Sequence, residues 1–283
     1  MDAFLGRPDV ALRGPWQSND LIKIGPTAAD LGRASSEYYL DFPGDPLRPG
    51  CDYERWTREA YAGRSPTVYA HVATEAGHTD RLALQYWLYY PFNDYNNKHE
   101  SDWEMIQLVF AAASPDEALD QEPVEVAYSQ HEGAEVSSWH DNKLEIVDGS
   151  HPVVHAAAGS HANYYESALY LGRSGQQGFG CDDTTAPTND VRPVVKLIPA
   201  DTASAREGFP WIAYQGHWGQ RERAFYNGPT GPVTKPSWTA PISWQQDEGR
   251  ELSYVVPVGG LLGTAATDFF CSGVATGSNV VGY

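Results

Sequence analysis

The sequence predicts an all-β chain with decoration, a β-sandwich flanked by short helices and long loops. Three observations carry this. Gly and Pro number 27 and 20 in 283 residues, which favours turns and short strands over long helices. Alternating apolar and polar runs recur through the middle of the chain, as in TVYAHVAT (67–74) and DWEMIQLVFAA (102–112). Helical spacing is confined to a few short segments.

Residues 1–50 show little periodicity and many Gly and Pro, and read as an irregular arm laid over the core. CDYERWTREAYAG (51–63) has helical spacing, with Tyr53, Trp56 and Ala60 on one face. A single domain is expected over 1–283: an N-terminal arm with a short helix (1–63), a sandwich core (64–258) and a small-residue tail (259–283). TVYAHVAT and LALQYWLYY (82–90), separated by the turn-forming EAGHTD, read as a hairpin. The strand 102–112 follows. One of its faces carries Asp102, Glu104, Ile106 and Leu108, and the other Trp103, Met105, Gln107 and Val109. Residues 114–123 form an acidic loop or short helix, and PVEVAYSQHEG (123–133) another strand. If these two strands pair antiparallel, Gln130 and His131 return beside Asp102 and Glu104. KLEIVDG (143–149) and HPVVHAAAG (151–159) read as two more short strands, and HANYYESALYLG (161–172) has helical spacing stopped by Gly172. A loop rich in Gly, Asp and Thr spans 175–190; PVVKLIP (193–199), WIAYQGHWG (211–219) and LSYVVPV (252–258) are further strand candidates. No repeat at solenoid or propeller spacing is present.

The net charge of −18 argues against nucleic acid as a partner, since no basic patch offsets repulsion from phosphates. The tail from Leu252 is nearly uncharged, but its Gly, Ser, Thr and Pro257 make a spanning helix a poor reading. The end at VVGY fits a piece of a longer chain. MDAFLGRPDV lacks the basic start and apolar run of a signal peptide. The residues fix no compartment; a secreted or lumenal setting is favoured. The three cysteines, Cys51, Cys181 and Cys271, form no CxxC pair, which excludes a zinc ribbon. One long-range disulfide with a free thiol, or three buried thiols, both fit.

The chemistry concentrates in YWLYYPFNDYNNKHESDWE (86–104), which ends in Asp94, His99, Asp102 and Glu104. Carboxylates and an imidazole this close are costly unless a cation or a proton offsets the charge. Three carboxylates and one His without thiolate suit a hard divalent cation, calcium or magnesium before manganese or zinc. The competing reading is a hydrogen-bonded polar knot. Six of the nine histidines lie between 99 and 161. His131 and Glu132 are the candidate base of a hydrolytic site, although His131-Glu132-Gly-Ala-Glu135 lacks the second His of a zincin helix. Gly159-Ser160-His161 lacks the second glycine of a nucleophile elbow. Trp139, as an exposed ring in a polar loop, His140 beside it, and His161 are candidate ligand contacts.

The stretches YWLYYPFND…KHESDWEMIQ, VAYSQHEG, HPVVHAAAGSHANYY, GHWG and GPTGP, in that order between about Thr67 and Trp244, are similar to the vacuolar protein sorting-associated family numbered sixty-two. More distantly, Lys98-His99-Glu100-Ser101-Asp102-Trp103-Glu104 resembles the G-H-R-H-D-W-E heptapeptide of the necrosis- and ethylene-inducing-peptide-like cytolysins. The first His, the Asp, Trp and Glu match; the Gly, Arg and second His do not. That resemblance implies a β-sandwich with a divalent cation at one end, held by His99, Asp102 and Glu104 with Asp94 as the nearest equivalent of an earlier aspartate. Gln130-His131-Glu132-Gly133 resembles the A-H-G segment that follows in those proteins. In the cytolysins the cation helps engage sphingolipid sugar headgroups.

Three functions follow as expectations. The first is a cation-dependent module for a polar glycan or lipid headgroup. The second is a metal-dependent hydrolase of ester, phosphodiester or glycosidic bonds. The third is a structural domain with an inert ion.

Overall fold

The computed structural model describes residues 1–186 and 191–256. Near the N-terminus, β1 (Ala11–Arg13), β2 (Leu21–Ile24) and β3 (Tyr39–Asp41) form a small sheet in the order β2-β1-β3. The helical turn α1 (Ala28–Leu31) lies between β2 and β3 and opens on a capping box from Thr27 and Asp30. The first fifty residues, expected to be irregular, thus carry a sheet. Its strands are too short for an alternation to stand out in the sequence. Helix α2 (Asp52–Tyr61) buries Tyr53, Trp56, Thr57 and Ala60, the face expected from its spacing.

The remaining strands are β4 (Thr67–Thr74), β5 (Leu82–Asn93), β6 (His99–Phe110), β7 (Glu125–Gln130), β8 (Gly133–Ser138), the two-residue β9 (Ile146–Val147), β10 (His151–Pro152), β11 (His155–Ala156) and β12 (Asn163–Tyr164), then β13 (Leu169–Ser174), β14 (Gly178–Asp183), β15 (Val194–Leu197) and β16 (Gly249–Arg250). Among the described residues the largest sheet has seven strands in the order β15-β4-β5-β6-β7-β8-β16. From β4 to β8 neighbours run antiparallel; β15 and β16 add parallel edges. The expected hairpin of 67–74 with 82–90 is β4–β5, paired Tyr69 with Trp87. The predicted antiparallel pairing of the next two strands is β6–β7, with Ile106 opposite Tyr128.

Each face of this sheet packs its own core, as the two-residue period requires. One face holds Trp87, Tyr89, Trp103 and Met105 against the N-terminal sheet, α2 and the segment 198–244. The other holds Ile106, Leu108, Val126 and Tyr128 against Trp139, Leu144 and Tyr165. The result is an all-β sandwich with short helical decoration. Tyr165 stacks on Tyr128, and its hydroxyl donates to the carbonyls of Val126 (2.9 Å) and Glu135 (3.0 Å). Tyr165→Phe leaves those carbonyls without that donor inside the core, and a loss of about 1–2 kcal/mol is expected in urea unfolding.

Three expectations are corrected. The stretch 175–190, read as a loop, carries β14, whose pairing with β13 continues the chain into a two-stranded sheet. HANYYESALYLG is not a helix; it forms β12 and the start of β13. Its adjacent tyrosines serve different clusters: Tyr164 stacks on Tyr170 and Tyr165 on Tyr128. Consecutive aromatics facing opposite ways follow strand parity, and aromatic residues favour strands. WIAYQGHWG is not a strand but a 3-10 turn, Pro210–Ala213, followed by a loop. That turn places Trp211, Tyr214 and Trp218 in one core, around Trp103. Of LSYVVPV, Tyr254–Val256 runs along β13 through Leu171 N–H to Tyr254 O (2.9 Å) and Val256 N–H to Leu169 O (2.7 Å). Residues 257 and 258 and the expected tail 259–283 lie outside the described residues. Cys181 is disulfide-bonded and Cys51 is free and exposed; Cys271 lies outside the described residues.

Candidate functional site

The site begins where strand parity breaks. His99, which lies before the expected strand 102–112, is the first residue of β6 and pairs with Asn93. Under strict alternation His99 would face the same way as Trp103. Ser101, however, has φ 62°, in the left-handed region. Across from it stands Pro91, and pairing resumes at Phe92 with Glu100. The break reverses the side-chain order. Glu100 points to the Trp103 side, where its carboxylate accepts Phe42 N–H, Gln220 N–H (2.8 Å) and the Tyr53 hydroxyl (2.8 Å). His99 comes within electrostatic reach of Asp102 and His161. The Ser101 hydroxyl holds the break in place by donating to the Trp218 carbonyl while sitting 2.7 Å from the Tyr89 hydroxyl.

Asp102 and Glu104 share the opposite face, as their spacing requires. Asp102 Oδ2 lies 3.1 Å from His161 Nδ1, and its Oδ1 accepts Trp103 N–H at 2.9 Å. The His161 ring stacks on Tyr90, centroids 3.9 Å apart, and its Nε2 is buried without a hydrogen-bond partner. Glu104 accepts the Ser129 hydroxyl. Burial pushes Asp102 upward, but His161, then His99 and Lys235, outweigh it and hold the carboxyl below its ordinary value. For Glu104, burial and then the Asp102 charge win, and its carboxyl is pushed up to about 8 despite Lys235, Ser129 and His131. Two buried carboxyls thus lie within electrostatic reach of each other, and only one is readily ionised. Burial pushes His99 down, toward the neutral ring.

The second wall comes from the β7–β8 turn. His131 Nε2 lies 2.9 Å from Asp182 Oδ2 on β14. Asp182 is fully buried and also accepts the Ser160 and Tyr164 hydroxyls, the latter at 2.6 Å. Burial alone would lower His131 and raise Asp182; their mutual attraction outweighs it in both, so His131 is raised and Asp182 lowered. Ser160 is aimed at Asp182 rather than at His131, so these groups make no nucleophile–base pair. Among the described residues five non-glycine residues have positive φ, and three of them, Ser101, His131 and His161, belong to this site. Such backbone costs energy and persists where surrounding contacts enforce it, commonly at functional sites.

The sequence-derived candidates distribute as follows. His99, Asp102, Glu104, His131 and His161 come together. Asp94 lies on the β5–β6 turn, ion-paired to Lys98, with its N–H bonded to Gly159 O (2.9 Å), which sets that turn beside Ser160 and His161. Gly159 has φ +83°, and a Cβ there would stand 2.6 Å from the Asp94 carbonyl oxygen. Glu132 is exposed beside Gly175. Trp139 is corrected: it is 3% exposed, packed in the Ile106–Leu108 core, and offers no stacking face. His140 is exposed and pairs with Glu122 at 3.3 Å. Asp182, Ser129 and Lys235 were not read from the sequence. Asp182 has an indistinguishable neighbour in Asp183, and Ser129 and Lys235 carry no local signal.

The donors suit a hard cation in kind: two carboxylates, and an imidazole nitrogen left free because the other ring nitrogen serves Asp102. In the arrangement described, no three His, Cys, Asp or Glu side chains among the described residues converge in a metal-binding group. Among those residues no helix is long and apolar enough to cross a membrane.

A family model described as vacuolar protein sorting-associated protein 62 matches residues 25–227, an interval that contains Asp94, His99, Asp102, Glu104, His131, His161 and Asp182. No curated protein matches the chain at a significant level. Similar solved structures include NLPPya in complex with glucosamine (16% identity, 64% of this chain and 66% of that chain, TM-score 0.35). They also include NLPPya in complex with mannosamine (18% identity, 50% and 55%, TM-score 0.30). A third is the necrosis and ethylene inducing protein 2 from the causal agent of cocoa's Witches Broom disease (17% identity, 65% and 68%, TM-score 0.38). The chain spans just under two thirds of the first of these and about half of the second. TM-scores this low support no residue-by-residue correspondence.

Proposed function

Starting from the membership of this chain in the vacuolar protein sorting-associated protein 62 family, matched over residues 25–227, we propose that it is a binding module for a polar glycan or lipid headgroup, with a divalent cation as co-ligand at Asp102 and Glu104. One observation carries the reading: a buried carboxyl pair in which Glu104 is pushed up to about 8 beside an ionised Asp102. Such a pair lowers its free energy by gaining positive charge, from a proton or from a cation. Asp102, Glu104 and the unpartnered His161 Nε2 are the groups that would hold the ion, with His99 beside them. A hard cation bound there supplies open positions for hydroxyl or phosphate oxygens of a headgroup. Asp102 orients the His161 ring, and the His131–Asp182 pair props the opposite wall. Asp102 and His131 are the members of the cluster that touch solvent, with side chains 14% and 15% exposed.

Calorimetric titration of chelator-treated protein with calcium and with magnesium tests the first half. Binding is expected for wild type and at least ~100-fold weaker binding for Asp102→Asn, because second carboxylates and their orienting partners govern affinity at such sites. No heat with either cation would overturn the proposal. Retention on a glycan and lipid array that includes glucosamine and mannosamine, with cation and with chelator, tests the second half. Equal retention in both, or none in either, removes the cation-dependent headgroup reading.

A further inference from the structure

A concavity lies on the N-terminal sheet, away from the carboxyl pair. It measures about 340 Å³ and is walled by the turn after β1 (Gln17, Ser18, Asn19), by Tyr39 and Asp41 of β3, and by Gln220–Glu222. At about 30 Å³ per water it has room for roughly eleven waters, enough for one hexose with several waters beside it.

The walls are built. Tyr39 is 3% exposed, and its hydroxyl donates to Asn19 Oδ1 at 2.7 Å. Trp16 stacks on His217, centroids 3.8 Å apart, and stands edge-on to Tyr39, which stiffens that side. Arg13 binds Asp41 through Oδ2, and Arg13 Nη1 also reaches Asn19 O at 3.3 Å. Gln220 N–H is anchored on buried Glu100, while Gln220 Nε2 donates to Glu222 Oε1 at 2.9 Å. Arg221 is exposed and makes no ion pair among the described residues. Asp41 Oδ1 receives no donor among them.

The charges decide the ligand class. Asp41 and Glu222 are matched by Arg13 and Arg221, so the cavity has no net charge to attract a phosphate or a cation. What remains is a ring of side-chain amides, two carboxylate oxygens without donors among the described residues (Asp41 Oδ1 and Glu222 Oε2) and one free guanidinium over the buried Tyr39. These groups pair with vicinal hydroxyls, each of which donates and accepts. We propose that this cavity binds a neutral, hexose-sized polyol without a metal ion. The polyol is the terminal sugar of a glycan or the inositol ring of a lipid headgroup. This inference does not rest on the cation reading of the Asp102–Glu104 pocket.

The test is saturation-transfer NMR in chelator with methyl glycosides of glucose, mannose, galactose and N-acetylglucosamine, and with myo-inositol. At least one polyol is expected to bind, with a dissociation constant on the order of 1 mM, as a small open polar site allows. A glycoside response identifies a glycan end and a myo-inositol response a lipid headgroup. Arg221→Ala and Gln17→Ala, both at exposed positions that leave the fold intact, are expected to weaken binding at least ~10-fold. Asp102→Asn leaves it unchanged. Silence from all five polyols overturns the inference. So does binding that both wall variants preserve, that Asp102→Asn removes, or that inorganic phosphate displaces.

Discussion

In chelator, the melting temperature falls by about 10 °C as pH rises from roughly 5 to roughly 8. The cause is Glu104, pushed up to about 8 by burial and by Asp102. A carboxyl whose folded value exceeds its unfolded value of about 4.3 holds its proton more tightly in the folded chain. Folding is then favoured at low pH, and stability falls as pH climbs through the window between the two values, by a few kcal/mol in all. Asp102 acts in the opposite sense. Its folded value lies below the ordinary one, so its contribution is lost only as pH falls through about 4 and lower. The two windows do not overlap, and differential scanning calorimetry across the range separates them. Glu104→Gln removes the Glu104 share of the fall and leaves the shares of Glu100, raised by burial, and of His131. Saturating calcium or magnesium is expected to flatten it, because a bound cation takes the place of the proton and stabilises the folded state by mass action. A flat profile in chelator would refute the description of the carboxyl pair; a slope that neither cation alters would refute the cation.

Asp182→Ala is expected to destabilise the chain by about 3–5 kcal/mol, read as a shift of the urea midpoint. Asp182 is fully buried and serves His131, Ser160 and Tyr164 at once. Its removal leaves an imidazole and two hydroxyls facing a vacated site, and breaking one partner of a buried pair costs far more than the pair's net worth. The pH signature is specific. His131 is raised and Asp182 lowered, so the pair stabilises most between about pH 4 and pH 6.5. The His131 contribution fades as pH rises through its folded value, and the Asp182 contribution fades as pH falls through its own. Asp183→Ala, one residue on, removes bonds to Thr185 alone and is expected to cost under about 1 kcal/mol. Equal losses from the two variants would show that Asp182 holds nothing in particular.

The contrast between Asp182 and Asp183 explains much of what was and was not legible in the chain. Nothing local distinguishes the two aspartates. The pairing of β14 with β13, Tyr170 opposite Asp182, decides which one turns inward. Trp139 shows the converse. Its polar neighbours suggested an exposed ring, but Trp139 N–H bonds to Val124 O at the end of β8, and the ring packs against the sheet. The tyrosine-rich segment 161–172 satisfied a helical spacing by coincidence, since its aromatics belong to two different cores.

The residues alone established the β-rich class, the β4–β5 hairpin, the antiparallel β6–β7 pair and the shared face of Asp102 and Glu104. All of these rest on a period of two that operates within a few neighbours. They also established that carboxylates and histidines crowd one stretch of chain. The partners in that crowd depended on the folded arrangement. His99 joined Asp102, and Glu100 left it, because Ser101 reverses the parity of β6, and Ser101 is held in that conformation by the carbonyl of Trp218, 117 residues away. Burial and distance to other charges set whether Glu104 carries a proton and Asp102 does not, and both are properties of the packed chain.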